Sequence, residues 1–380
     1  LPAIGFVILF ADLEKRFGFP PLQAAVLIAF FLILLSGGLA TAQAYFMDWA
    51  REPQLLYETD GDLSAVSEFL NQQNMEGQTV YVAAPHYRHP TVAFLSDRYE
   101  AIKWLPESNA LVLPAAGSSL YIYPHNSPQP PWTADILQSA APLQIPDTRF
   151  PADAFSAYLL PAPPAFDIGH PLDADFGGTV TLLGYDTAAP AAAGSNLALT
   201  LYWRVNEVPT ADYQPFIQLE DAQGHRWSQL EAFAYPAEQW QPGETIIQQV
   251  EVPIPRGAPP GDYQLRIGLF DQETADRAPR LDENGSYAGD AVVISPVPLL
   301  AGPVPDQLPA PPFPLDDGAA QNLQLTGYER GPRQVFNGES WGMALWWLAS
   351  APLEPYSINL DLVDAAGVAS PLSETQPVYD

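Results

Sequence analysis

Val180-Thr-Leu-Leu-Gly-Tyr185 and, just beyond it, Leu197-Ala-Leu-Thr-Leu-Tyr-Trp203 decide the fold. Both are short, rich in β-branched and aromatic residues and bounded by turn formers, which is the composition of a half-buried strand. The pattern continues through Pro215-Phe-Ile-Gln-Leu219, Ile246-Ile-Gln-Gln-Val-Glu-Val252 and Tyr263-Gln-Leu-Arg-Ile-Gly-Leu-Phe270. Gln241-Pro-Gly-Glu244 and Ala258-Pro-Pro-Gly261 supply turns between them. Strands alone at this spacing predict an immunoglobulin-like β-sandwich over residues 168–297.

The same strings return downstream. Leu323-Gln-Leu-Thr-Gly-Tyr328 repeats the first, Ala344-Leu-Trp-Trp347 repeats Thr200-Leu-Tyr-Trp203, and Tyr356 to Gly367 repeats Tyr213 to Gly224. An offset of 143 or 144 residues is too long for a solenoid unit and fits tandem globular domains. Residues 319–380 are therefore expected to hold a second sandwich, cut short at Asp380. Pro298 to Pro314 is proline-dense and almost uncharged, so residues 298–318 read as a stiff linker.

Upstream, residues 46–165 mix two periods. Asp60 to Asn71 places Leu63, Val66, Phe69 and Leu70 at helical spacing, with acidic residues near the start. Thr79–Ala83, Ala110–Leu113, Leu120–Tyr123 and Ala157–Leu160 read as strands, closed by Pro85, Pro114, Pro124 and Pro161. A small α/β domain follows from that mixture.

No charged residue lies between Arg16 and Asp48. Leu22 to Ala40 alone gives 19 largely apolar residues, close to the ~20 that cross a bilayer core. Pro20 and Pro21 suit a helix entrance, and Tyr45, Phe46 and Trp49 suit the membrane interface. A buried core helix and a signal peptide are the alternatives; the apolar part of the latter is shorter, about 7–15 residues. Within residues 1–45 a full span is expected at 22–42 and the tail of an earlier span at 1–10. Lys15 and Arg16 place the loop between them in the cytoplasm. The protein is then multi-pass in the cell membrane, with residues after about 45 extracytoplasmic. Leu1 opens inside an apolar run, so further sequence is expected before it.

The chain carries 44 acidic and 15 basic residues, a net charge of −29. Asp12 and Glu14 cancel Lys15 and Arg16, so the excess begins at Asp48. Such a surface repels phosphates and argues against nucleic acid as a partner. The absence of cysteine removes disulfides, zinc–thiolate sites and thiol nucleophiles together.

Pro85-His-Tyr-Arg-His-Pro90 is the most unusual local string. His86, Tyr87, Arg88 and His89 suit a phosphate or a sugar hydroxyl at a strand end, and the plainer reading is a packed strand-to-helix loop. His125 and His225 stand isolated in sequence, so no metal site is expected. Asp282-Glu-Asn-Gly285 with Asp290, and Asp173 with Asp175, read as solvated turns, since the ligand spacing of a calcium loop is missing. Trp227 and Trp240 are candidates for stacking on a sugar ring, while strand alternation sends one ring of Tyr202-Trp203 and of Trp346-Trp347 inward. No nucleophile elbow, phosphate loop, dinucleotide fingerprint or catalytic triad is present, and no catalytic residue or cofactor is assigned.

At Tyr45-Phe-Met-Asp-Trp-Ala50, Tyr57 to Leu70 and Val80-Tyr-Val-Ala-Ala-Pro-His-Tyr-Arg-His-Pro90 the chain resembles bacterial multi-spanning glycosyltransferases in forms found in Chloroflexi-like bacteria. These are related to the dolichyl-phosphate-mannose–protein mannosyltransferase family. Leu182-Leu-Gly-Tyr185, Leu199 to Arg204, Trp240-Gln-Pro-Gly-Glu244 and Ala258 to Tyr263 resemble the β-sandwich repeats appended to such proteins. The resemblance implies transfer of a sugar from a polyprenyl-phosphate donor to a glycan or protein acceptor outside the cytoplasm. It also implies that the catalytic carboxylates lie on an earlier loop, which no residue here matches. A divalent cation on the full-length enzyme is compatible with the resemblance but finds no support in this sequence. The competing class is an anchored surface protein, structural or carbohydrate-binding, without catalysis.

Overall fold

The computed structural model describes residues 20–49, 53–106, 109–143, 150–188, 190–231, 235–303, 310–320, 322–331, 343–349, 358–364 and 366–375, with isolated positions between 5 and 15. One apolar helix is followed by a mostly β-rich body of several sheets. The chain divides into two compact units: Leu1–Ser108 with Ala116–Pro164, and Asn109–Ala115 with Ala165–Asp380.

The first unit opens with α1 (Pro20–Gln43), which runs into a π-helical turn, Ala44–Asp48. Its 25-residue window Ala24–Asp48 is long and apolar enough to cross a membrane, and none of it is buried. A core helix of this chain would be covered by the rest of it; this one is bare. The expected earlier span at 1–10 lies almost wholly outside the described residues.

There follow α2 (Pro53–Glu58), α3 (Gly61–Gln72), β1 (Gln78–Ala84), α4 (Pro90–Leu95), β2 (Ile102–Pro106), β3 (Ala110–Leu113), β4 (Ser118–Pro124), β5 (Ala141–Pro142) and β6 (Phe155–Leu160). One sheet runs in the order β2-β1-β4-β6-β5. Its first three strands are parallel, and β6 is antiparallel to β4. Val66, Phe69 and Leu70 of α3 pack on Val80, Val82, Leu120 and Ile122. On the opposite face Tyr81 and Tyr121 stack at 5.1 Å and are fully buried, as both faces of a parallel sheet must be.

β3 corrects the expected domain boundary. Placed by sequence in the α/β domain, it belongs to the second unit. There it pairs antiparallel with β13 (Thr245–Pro253), Leu111 opposite Ile247 and Val112 opposite Ile246. The Gln249 N–H donates to the Asn109 carbonyl at 2.9 Å and extends the ladder. Four apolar residues in a row announce a buried strand but carry no information on which sheet takes it. Gly243, at φ +87°, turns the chain where a side-chain carbon would meet the Cβ of Ala115 at 2.6 Å.

The remaining strands of the second unit are β7 (His170–Phe176), β8 (Val180–Thr187), β9 (Ala191–Ala192), β10 (Asn196–Val205), β11 (Tyr213–Glu220), β12 (Arg226–Glu231), β14 (Gly261–Asp271), β15 (Arg280–Leu281) and β16 (Val292–Leu300). They form two sheets, β15-β7-β8-β10-β13-β3 and β12-β11-β14-β16-β9. Leu197, Leu199 and Leu201 in the first, and Leu265, Ile267 and Leu269 in the second, alternate inward and are buried. Trp203 and Ile246 of one sheet and Tyr213 and Leu269 of the other wall a cavity of about 20 Å³, so these faces look at each other.

The repeat carries its geometry with it. β17 (Phe313–Ala320), β18 (Leu323–Arg330) and β19 (Met343–Ala349) form a sheet, and β20 (Ile358–Val363) pairs with β21 (Ala369–Thr375). Gly184 lies opposite Tyr202 and Leu182 opposite Trp203, which leaves Leu183 as a bulge. Gly327 lies opposite Trp346 and Leu325 opposite Trp347, which leaves Thr326 in the same role. Tyr185 stacks on His170 at 4.7 Å and Tyr328 on Phe313 at 5.0 Å. A side chain at either glycine would strike the carbonyl of that same stacking partner.

The expected linker is also corrected. β16 runs to Leu300 and β17 starts at Phe313, so strands occupy both ends of residues 298–318; residues 304–309 lie outside the described ones. Pro171 and Pro314 sit at register shifts of β7 and β17, where a missing N–H breaks no ladder.

If β3 is part of the second unit, Leu111→Ala should lower that unit's stability by about 2–4 kcal/mol. Urea unfolding followed through the buried Trp203 and Trp240 checks this, and an unchanged midpoint would place the strand elsewhere.

Candidate functional site

From β1 the chain passes through α4 to β2 on one side, then returns to β4 on the other. The loops leaving β1 and β4 therefore part at the carboxyl end of the sheet, where crevices form in open α/β sheets. An open cleft of about 310 Å³ lies there, lined by Ala84 and Pro85 after β1 and by Asn126, Ser127, Gln129 and neighbouring prolines after β4.

The start of α3 holds the second loop in place. Asp62 is fully buried; its Oδ1 accepts the N–H of Leu63 at 2.8 Å and its Oδ2 the N–H of Asn126 at 2.9 Å. A carboxylate is favoured there by the positive end of the helix. The Asn126 amide donates to the Tyr57 carbonyl at 2.6 Å, and the Tyr57 hydroxyl donates to Asp153 at 2.8 Å. Desolvation, then the bond to Asp153, push the Tyr57 phenol up to about 12. His125, isolated in the sequence, stacks on the Tyr57 ring at 3.7 Å.

The other rim ends at Pro85, from which the string 85–90 leads into α4. His89 is buried and caps α4, its Nδ1 accepting the Thr91 N–H at 3.3 Å. That bond leaves the ring proton on Nε2, which faces Asp60 at 4.0 Å. Arg88, at φ 52°, pairs with Glu100 at 2.8 Å and lies over the Tyr99 ring. Tyr87 packs against the core. His86 is exposed, with its ring parallel to that of His89 at 6.0 Å. Of the four, only His86 keeps an exposed side chain without a structural task among the contacts described.

The tryptophans divide. Trp240 is buried and donates its indole N–H to the Tyr235 carbonyl at 3.0 Å, so neither ring face is open to a sugar. Trp227 is half-buried and donates to Asp221 at 3.0 Å. His225 also reaches Asp221, at 3.1 Å, so neither it nor His125 is isolated in space. Burial alone would raise the Asp221 carboxyl, but hydrogen bonds from Trp227, from the His225 and Gln223 N–H groups and from the His225 ring outweigh it and lower its pKa.

The acidic turns are likewise occupied. Asp282 accepts the N–H groups of Asn284 and Ser286, and Asp175 that of Gly178. Asp290 pairs with Arg277 and Arg266; the hydrogen bond from Arg277 is the main cause of its lowered pKa. Sequence reading missed Asn126, Ser127 and Gln129. Their one signal was a turn-rich, polar string directly after a strand closed by Pro124.

The chain matches no protein-family model and none of the curated proteins. Among solved structures, 36% of it aligns with the whole of a CARDB domain from Pyrococcus furiosus, crystallised with two metal ions, at 12% identity and a TM-score of 0.21.

Two outcomes are expected. Asp62→Ala strands the buried N–H of Leu63 and the partly buried one of Asn126 and should cost about 1–3 kcal/mol in thermal unfolding of the first unit. Because the folded pKa of Asp221 is depressed, its stabilising effect is full above the ordinary value near ~4 and is lost as pH falls through the lowered one. Trp227 emission should therefore change only below that ordinary value, and the transition should vanish in Asp221→Asn.

Proposed function

We propose that the chain is the C-terminal extracytoplasmic portion of a bacterial integral-membrane glycosyltransferase that draws its sugar from a polyprenyl-phosphate donor. In this reading α1 is the last of several spans, and residues after about 45 lie outside the cytoplasm. The catalytic carboxylates lie on an earlier loop. The first unit covers the active site and holds the glycan or protein acceptor. The tandem β-rich part consists of immunoglobulin-like sandwiches that extend the enzyme outward; the facing apolar sheets and the repeated bulge support that assignment.

The observation that carries the reading is the cleft between β1 and β4. It belongs to a domain that starts at Pro53, soon after the apolar helical stretch ends at Asp48. Its lining is uncharged and mostly apolar, prolines and an alanine with Asn126, Ser127 and Gln129 among them. Such a surface suits the hydroxyls and C–H faces of a sugar better than a phosphate, which favours the acceptor end over the donor head.

Membranes carrying the natural full-length protein should transfer hexose from a polyprenyl-phosphate donor to an exported acceptor. The pair His86→Ala and Gln129→Ala should raise KM for the acceptor about tenfold, the worth of one or two hydrogen bonds, and leave that for the donor unchanged. Retention of glycan without turnover would establish the non-catalytic, carbohydrate-binding class instead. An unaltered acceptor KM would remove the cleft from the mechanism.

A further inference from the structure

Phe94 is 89% exposed, more than any other large apolar side chain among the described residues. It lies on α4, whose inward side is held by buried Val92 and by the His89 cap. Ala93 and Leu95 beside it are exposed as well. Helix α4 thus presents a small apolar face that nothing in its own unit covers.

The surrounding charge is unlike the rest of the chain. Residues 86–104 hold Arg88, Arg98 and Lys103 against Asp97 and Glu100, whereas the whole chain has 15 basic to 44 acidic residues. With Arg88 paired to Glu100 the stretch is close to neutral, so an exposed ring here can enter a headgroup layer without the repulsion from anionic lipid that the acidic remainder of the chain would meet. Reach is secured by the connection to α1. From Trp49, at the end of the apolar helix, to Pro53 is four residues, at most about 14 Å of extended chain. The first unit is therefore held within one domain's breadth of the lipid surface that α1 would cross.

We infer that the α4 face, with Phe94 at its centre, docks on the bilayer surface beside α1 and orients the first unit against the membrane. The occupant is lipid, not a second protein. This rests on α1 spanning the bilayer, which incorporation of the chain into nanodiscs checks separately, and it requires no enzymatic activity.

The absence of cysteine makes the test direct. Ala93→Cys supplies a single thiol for an environment-sensitive fluorophore, and Val208→Cys, also at an exposed position, serves as a control in the second unit. Both labelled chains are placed in nanodiscs of phosphatidylcholine with a minority of phosphatidylglycerol, with and without nitroxide-bearing lipid. Nitroxide lipid should quench the label at 93 severalfold more than that at 208, and adding Phe94→Ser should bring it down to the control. Unchanged circular dichroism would show the fold intact, as expected for an exposed site. Equal quenching at both positions overturns the inference. So does a label at 93 that is shielded from water but untouched by nitroxide lipid, which would mean that protein covers the face. Quenching that survives Phe94→Ser overturns it too.

Discussion

A backbone N–H or C=O group shut away from water must find a partner, and that requirement shapes each part of this chain. In α1 the interior N–H and C=O groups pair within the helix itself, as an apolar segment in lipid requires. At the edge of β13 the partner is brought from far away, as residues 110–113. At the start of α3, Asp62 takes up one N–H from its own helix and another from the loop after β4. The last of these makes the cleft a fixed shape, because the loop that walls it hangs from a buried carboxylate.

Most elements could be read from local sequence. Periodicity located α3 and the strands at 180–187, 196–205, 213–220, 245–253 and 261–271, and composition located α1. Three things were out of reach. Ala110 to Leu113 is apolar on both sides, so the sequence names a strand and not its neighbour. Pro314 looked like a linker residue, although a bulge lets it sit in a strand, as it does Pro171. His125 and Tyr57 meet only because β4 ends beside the start of α3, a fact of topology with no local trace. For the string at 85–90 the residues were legible and their duties were not. His89 and Arg88 are spent on a cap and an ion pair, and the cleft itself is lined by amides and prolines.

The large negative charge also acquires a different meaning. Asp62, Asp221, Asp282 and Asp290 serve as hydrogen-bond acceptors for backbone amides, an indole or guanidinium groups. In a chain without cysteine, such carboxylates fasten turns that a disulfide would otherwise hold. The acidity of the second unit is thus in part structural, while the cleft of the first unit is almost free of charge.

The pairing of β3 with β13 has a consequence for biogenesis. Between Leu113 and Thr245 lie 131 residues. A chain synthesised from its N-terminus exposes its edge strand long before the partner arrives, and contacts this distant in sequence form late. During that interval the four apolar residues must be kept from the parallel sheet forming around them, which already has an edge at β2. Folding of this protein is therefore a problem of timing, and its natural point of failure is a strand that pairs too early.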